Sequence, residues 1–201
     1  MDITFSKKKA SYTMLVTKPY KRENAAEYAR KFAFSQNSYF GNFAELGGNC
    51  TNFVSQAIFA GSCVMNYTPV FGWYYISLNE RSPSWTGVEF FYNFIVGNQG
   101  VGPFGRAVPI DELEIGDIIQ LGKNGDGFYH TLIVVGFEGD DPLVAAQTND
   151  VYMRPLSTYT YDFARYIKID GVRYLVEDDY SCYEQLINAP STPNVPMGDN
   201  Q

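Results

Sequence analysis

Apolar residues recur at helical spacing through the first half of the chain. From Lys21 to Phe34, the residues Ala25, Tyr28, Ala29, Phe32 and Ala33 mark one face, so the pattern predicts an amphipathic helix. Residues 35–49 are rich in Ser, Asn and Gly and read as a loop. A second helix is expected at or beside Cys50, because Cys50, Phe53, Val54, Ala57 and Ile58 form a continuous buried-face pattern, with Gly61 as its stop. Residues 62–83, rich in Tyr, Trp, Asn and Pro, read as a loop. Thr86 and Glu89 have the spacing of a capping box ahead of Phe90, Phe91, Phe94 and Ile95, so a third helix is predicted over 86–97.

The pattern then turns strand-like. Residues 116–122, 129–137 and 142–147 read as strands joined by the turn clusters 123–127 and 138–141, and tight turns of that kind join antiparallel neighbours. Residues 165–169 and 172–176 suggest further strands, and residues 12–18 a short extended segment. Helices followed by an antiparallel sheet make an α+β plan. One domain is expected over residues 1–190, with the Pro/Asn-rich 191–201 as a flexible tail or linker stub.

Composition narrows the function classes. The chain has 201 residues, 45% of them hydrophobic and 16% aromatic, which fits a single folded domain and not a disordered one. A net charge of −7 repels phosphate backbones and argues against nucleic-acid binding. No apolar run reaches the ~20 residues of a membrane helix, and no apolar stretch follows the N-terminal charges as in a signal peptide. The three cysteines, Cys50, Cys63 and Cys182, are too few for a disulfide framework, and a Cys63–Cys182 bridge is not the expected arrangement. No spacing suggests a metal site, and no cofactor is implied.

The chemistry-bearing candidates are a thiol and an imidazole. Cys50 follows Gly47-Gly48-Asn49 at a helix start, where the macrodipole and unpaired N–H groups favour a thiolate and a developing oxyanion. Asn49 would cap that helix, and Gly48 would let a substrate approach the backbone. His130, the single histidine, heads an apolar strand, where the bland reading is a structural histidine and the sharper one a proton shuttle. A Cys–His pair needs a third group to fix the imidazole, and Gln147, Thr148, Asn149 and Asp150 all compete for that place. Trp73, Tyr74, Tyr75, Trp85 and Tyr129 are candidates for the wall of a substrate cleft, with a core role as the alternative for Trp85. Asp117 reads as a structural turn residue.

Five segments in order, Gly48-Asn-Cys-Thr-Asn-Phe-Val-Ser-Gln56, residues 72–75, Ser84-Trp-Thr-Gly87, Gly116–Gly122 and Tyr129–Val135, resemble the "putative amidase domain" family. That is a bacterial group similar to the papain-like, CHAP-type cell-wall hydrolases, and the resemblance spans roughly residues 20–170. It implies a papain-like fold and hydrolysis of an amide bond, with Cys50 as nucleophile and His130 as base. Gln147 and Asn149 fall in the two slots where relatives carry their orienting residues, and Asn49 and Gln147 both depart from the usual residue types. The implied substrate is peptidoglycan or a peptide, and the implied location is secreted or cell-wall associated, with the protein acting as a monomer. Backbone N–H at Cys50, helped by Asn42 or Glu45, would hold the oxyanion. A non-catalytic binding module, or a protein-directed amidase or acyltransferase, is the alternative on the same fold.

Overall fold

The computed structural model describes residues 14–176 and 181–194. Its elements run β1 (Leu15–Lys18), α1 (Arg22–Phe32), β2 (Ser35–Asn37), α2 (Cys50–Ser62), β3 (Tyr75–Ser77), β4 (Glu80–Arg81), α3 (Pro83–Thr86) and α4 (Val88–Gly97). They continue with β5 (Gly102–Val108), β6 (Ile118–Lys123), β7 (Gly127–Glu138), β8 (Asp141–Ala146), β9 (Val151–Pro155), β10 (Phe163–Leu175), α5 (Tyr183–Ile187) and β11 (Ser191–Pro193). The fold is α+β, with the helices packed on an antiparallel sheet. Its main path is β1-β10-β6-β7-β8-β9, and β5 also pairs with β10.

Strand alternation divides the core into two layers. On one face of the sheet, Ile118, Ile133, Ala145 and Ile167 meet the buried faces of α1, α2 and α4, including Tyr28, Phe32, Phe53, Val54, Ala57 and Phe91. On the other, Ile119, Leu121, Leu132, Val134 and Val144 are covered by Leu113, Leu156, Tyr159 and Tyr161. Asp117 is the structural residue it was read to be. It is fully buried and accepts hydrogen bonds from Arg22 and from the backbone N–H groups of Ile169 and Glu114, which ties the start of α1 to β10.

Several local expectations are corrected. The predicted helix over 86–97 is two helices, because Pro83 opens a turn earlier and Gly87, at φ −102 and ψ 129, is extended between them; no capping-box bond forms. Gly61 lies inside α2 rather than ending it. A Cβ there would meet the Tyr20 ring at 2.4 Å, and Cys63 takes the left-handed position instead. The strands read at 165–169 and 172–176 are one strand, β10, bulged between Ile169 and Gly171. The loop read at 35–49 holds β2 and a turn of 3-10 helix over Ala44–Leu46, and the loop read at 62–83 holds the β3–β4 hairpin. The segment read as the start of a tail forms β11, which pairs with β2; residues 195–201, and residues 12–13 of the first extended segment, lie outside the described residues. Cys63 and Cys182 are disulfide-bonded, against the sequence reading, and Cys50 is left as the free thiol.

Candidate active site

Cys50 is the first residue of α2, held there by the loop before it. Gly47 and Gly48 take φ +108 and +110, which a side chain would strain, and so turn the chain sharply into the helix. Asn49 is buried but does not cap the helix with its side chain, which corrects the expected role. Its Oδ1 accepts from the N–H of Phe43 and from Asn52 Nδ2, its Nδ2 donates to Gln147 Oε1 at 2.5 Å, and its own N–H donates to Thr148 Oγ1. Asn52 in turn accepts from Trp85 Nε1 and donates to the carbonyl of Gly41. A buried amide network therefore pins the loop, the helix start and the end of β8 to one another.

Gln147 belongs to this network. Its Nε2 donates to the carbonyls of Phe32 and Ser35 while its Oε1 takes Asn49, so its hydrogen-bonding groups are engaged away from His130. The expectation that Gln147 orients the imidazole is corrected on that ground. Asn149 lies exposed in the turn after β8, Thr148 is spent on Asn49, and Asp150 accepts from Asn194. Among the described residues, no hydrogen bond joins any of these four to His130.

The thiol is 7% exposed. Burial raises its pKa above the ordinary thiol value, and the backbone N–H of Thr131, the Thr51 hydroxyl and the N–H groups of Thr51 and Cys50 pull the other way. The Thr51 hydroxyl stands 3.8 Å from the sulfur. The sulfur thus sits in a nest of donors at a helix start, the geometry that stabilises an anion.

His130 is next to Thr131 in β7, so the thiol lies one residue along the strand from it. β8 pairs with β7 from Glu138 back to Ile133 and ends at Ala146, which leaves that edge of β7 open beside residues 130 and 131. Pleat alternation turns Thr131 toward α2 and His130 toward the face of Leu132 and Val134. The half-buried imidazole lies beside Tyr129, at 6.1 Å between ring centroids, and Tyr159, at 6.2 Å, and no hydrogen bond joins it to the sulfur. Burial, and then the nearby Arg154 cation, lower its pKa from 6.5 to about 4. At neutral pH the resting pair is a neutral thiol and a neutral imidazole.

That shift has a stability consequence with a definite sign. Between pH 6.5 and about 4 the unfolded chain protonates this histidine and the folded chain does not. The unfolded state then binds more protons, so stability falls as the pH is lowered through that window, by up to about 3 kcal/mol. His130→Gln is expected to remove that part of the acid sensitivity. Urea melts of both proteins at pH 7 and pH 4.5 check it, and parallel losses in the two would contradict it.

The proposed cleft residues separate into two groups. Trp73 is fully buried, donates from Nε1 to Ser55 Oγ and packs on Trp85 and Phe94, so it belongs to the core; the cleft assignment is corrected. Trp85 is core as well. Tyr74 is partly buried against Tyr67, whereas Tyr129 is 40% exposed beside His130, and Gly48 is partly exposed beside Thr148. Asn42 closes a local turn on Ala44, and Glu45 is exposed in the 3-10 turn. Thr51, Thr131 and Gln120, buried polar residues behind the sulfur, were missed; the only signal was polar residues inside otherwise apolar runs. Among the described residues no cluster of His, Cys, Asp or Glu is arranged to hold a metal ion, and no helix is long and apolar enough to cross a membrane.

A family model described as "Putative amidase domain" matches residues 19–169. The chain is also similar to "Uncharacterized protein YhbB" of Bacillus subtilis (strain 168), with 37% identity over 139 residues, 67% of this chain and 43% of that protein. The chain therefore spans less than half the length of that relative. No solved structure matches.

Proposed function

Since the chain belongs to the putative amidase domain family, whose description points to amidase-type hydrolysis, we propose that it is a cysteine-dependent amidohydrolase with Cys50 as nucleophile, related to the papain-like CHAP hydrolases. The observation that carries this is the position of the Cys50 sulfur: first residue of α2, ringed by donor groups, beside the strand residue that follows His130. In the proposed reaction the imidazole of His130 takes the thiol proton as the thiolate attacks an amide carbonyl. The first-turn N–H groups hold the oxyanion, His130 returns the proton to the leaving amine, and water then cleaves the thioester. The mechanism requires the imidazole to turn from the face of Leu132 and Val134 to the sulfur, across the edge of β7 that β8 leaves open. With Gln147 engaged elsewhere, Asn149 is the remaining slot residue for orienting the ring.

The substrate proposed is a peptide bond or sugar–peptide amide of bacterial peptidoglycan. The Cys63–Cys182 bridge supports a location outside the reducing cytosol, in keeping with a secreted or wall-associated enzyme. Purified peptidoglycan incubated with the protein is expected to release new amino groups, with mass analysis of the fragments identifying the bond. No release from walls of several chemotypes, with release from a protein substrate instead, would move the assignment to a protein-directed amidase. A second reading is favoured by the missing bond between sulfur and imidazole: a wall- or peptide-binding module with a silent site. Retention of the protein on peptidoglycan without amine release would select it.

A further inference from the structure

Behind the sulfur runs a continuous buried chain of polar side chains that the mechanism above does not use. Arg165 Nε donates to Gln120 Oε1 at 2.7 Å, and Gln120 Nε2 donates to the carbonyl of Val88 and to Thr131 Oγ1 at 3.1 Å. Thr131 Oγ1 lies 2.9 Å from Thr51 Oγ1, and Thr51 Oγ1 lies 3.8 Å from Cys50 Sγ. Gln120, Thr131 and Thr51 are each at most 1% exposed. Arg165 ends the chain near the surface, where it pairs with the exposed Glu89 and lies over the Tyr92 and Phe128 rings.

The end groups fix the orientation of the Gln120 amide. A guanidinium only donates and a backbone carbonyl only accepts, so Arg165 and the Val88 carbonyl set which way the Gln120 amide points. Its N–H then occupies Thr131 Oγ1 as acceptor. Either oxygen could donate between Thr131 and Thr51, and either atom between Thr51 and the sulfur; the sense that gives each hydroxyl hydrogen an acceptor along this chain runs from Thr131 to Thr51 and from Thr51 to the sulfur. A fully buried hydroxyl whose hydrogen has no acceptor is costly, so this single sense satisfies the whole chain.

We propose that Thr51 is a positioning residue for the Cys50 nucleophile: its hydroxyl donates to the sulfur, and the Arg165–Gln120–Thr131 chain holds that hydroxyl in the donating orientation. This rests on the reading of Cys50 as nucleophile, and it adds a device that favours the thiolate over the thiol in a site whose burial does the reverse. Titratable groups on the elements around the thiol include His130 and Tyr129 on β7, the buried Tyr28 of α1 that donates to Gln56 of α2, Glu45 in the turn before α2 and Asp150 in the turn after β8. The His130 pKa is lowered to about 4, so its charge stays constant through the alkaline range where the thiol ionises, and burial holds the Tyr28 hydroxyl well above the ordinary tyrosine value.

The test is the pH profile of iodoacetamide alkylation of Cys50 in the intact disulfide-bonded protein, which is independent of any hydrolytic assay. Thr51→Val keeps the shape and removes the hydroxyl. It is expected to slow alkylation at pH 8 about tenfold and to move the profile upward. Thr51→Ser keeps the donor and should follow the wild type. Thr131→Val leaves the Thr51 hydroxyl without its partner and should fall between them. A thermal melt on each variant separates packing damage, which lowers the transition temperature without moving the pH profile. Superimposable profiles for wild type and Thr51→Val, or equal shifts for Val and Ser, would overturn the proposal. A shifted profile in a protein that hydrolyses nothing would leave the device standing and remove the reading of Cys50 as a catalyst.

Discussion

Cys50→Ala is expected to lower amide hydrolysis by about 10⁴-fold or more, to the level left by binding and oxyanion contacts alone. The physical reason is that no neighbouring group can replace the sulfur. The other two cysteines are joined in a disulfide, and the Thr51 hydroxyl beside the sulfur is a weak nucleophile held in the hydrogen-bonded chain with Thr131. The fold should survive. Removing one buried sulfur at a helix start costs about 1 kcal/mol, and the loop that places residue 50 is held by the Asn49, Asn52 and Gln147 amides, none of which bonds to the sulfur. The measurement is amine release from peptidoglycan alongside a thermal melt. Turnover that persists in the alanine variant would remove the thioester mechanism outright. Loss of turnover with loss of the melting transition would be uninformative for wild-type chemistry unless circular dichroism shows a native fold, so both are read on one preparation.

What could be read from the chain follows a physical division between local and distant causes. The faces of α1 and α2 and the strands β6, β7 and β8 were legible because their periodicity is a property of neighbouring residues. β5 was not, because Gly102, Pro103 and Gly105 are poor strand formers; the strand exists through its pairing with β10, 58 to 71 positions along the chain. The split of the third helix turned on whether Pro83 or Thr86 begins it, and proline at the first helical position prevailed.

The site shows the same division. That a glycine turn would deliver Cys50 to a helix start was local and legible. The role of Gln147 was not, since its acceptors are the carbonyls of Phe32 and Ser35 and its donor is Asn49. An aromatic run such as 73–75 carries no mark saying which ring goes inward. Trp73 is buried because Trp85 and Phe94 lie over it, whereas Tyr129 stays exposed because it sits at an irregularity where β6 and β7 shift register. His130 was found as a residue, yet its face of the strand depends on that same irregular register, which periodicity alone does not reveal.

The second large effect concerns stability. Reduction of the Cys63–Cys182 bridge, or the double variant Cys63→Ser with Cys182→Ser, is expected to destabilise the domain by about 4–5 kcal/mol. The bridge joins the residue that ends α2 to the residue before α5 across a sequence separation of 119. A closure of that length removes much of the freedom of the unfolded chain, and its entropic effect grows with the logarithm of the loop. It also fastens α5, whose Leu186, with Ala189 just beyond the helix, seals the edge of the core and whose far side leads into β11 and its pairing with β2. The loss should therefore show first in the C-terminal elements. Hydrogen exchange should rise in α5 and β11 before it rises in α2 and β7, and the urea midpoint should drop in dithiothreitol for the wild type but not for the double serine variant. The Cys50 alkylation rate should change little in native buffer, because the donors around that sulfur come from the start of α2 and from β7, at the opposite end of the helix from the bridge. An unchanged urea midpoint on reduction would mean that the two cysteines are not joined in the folded protein. It would also withdraw the argument for an oxidising location.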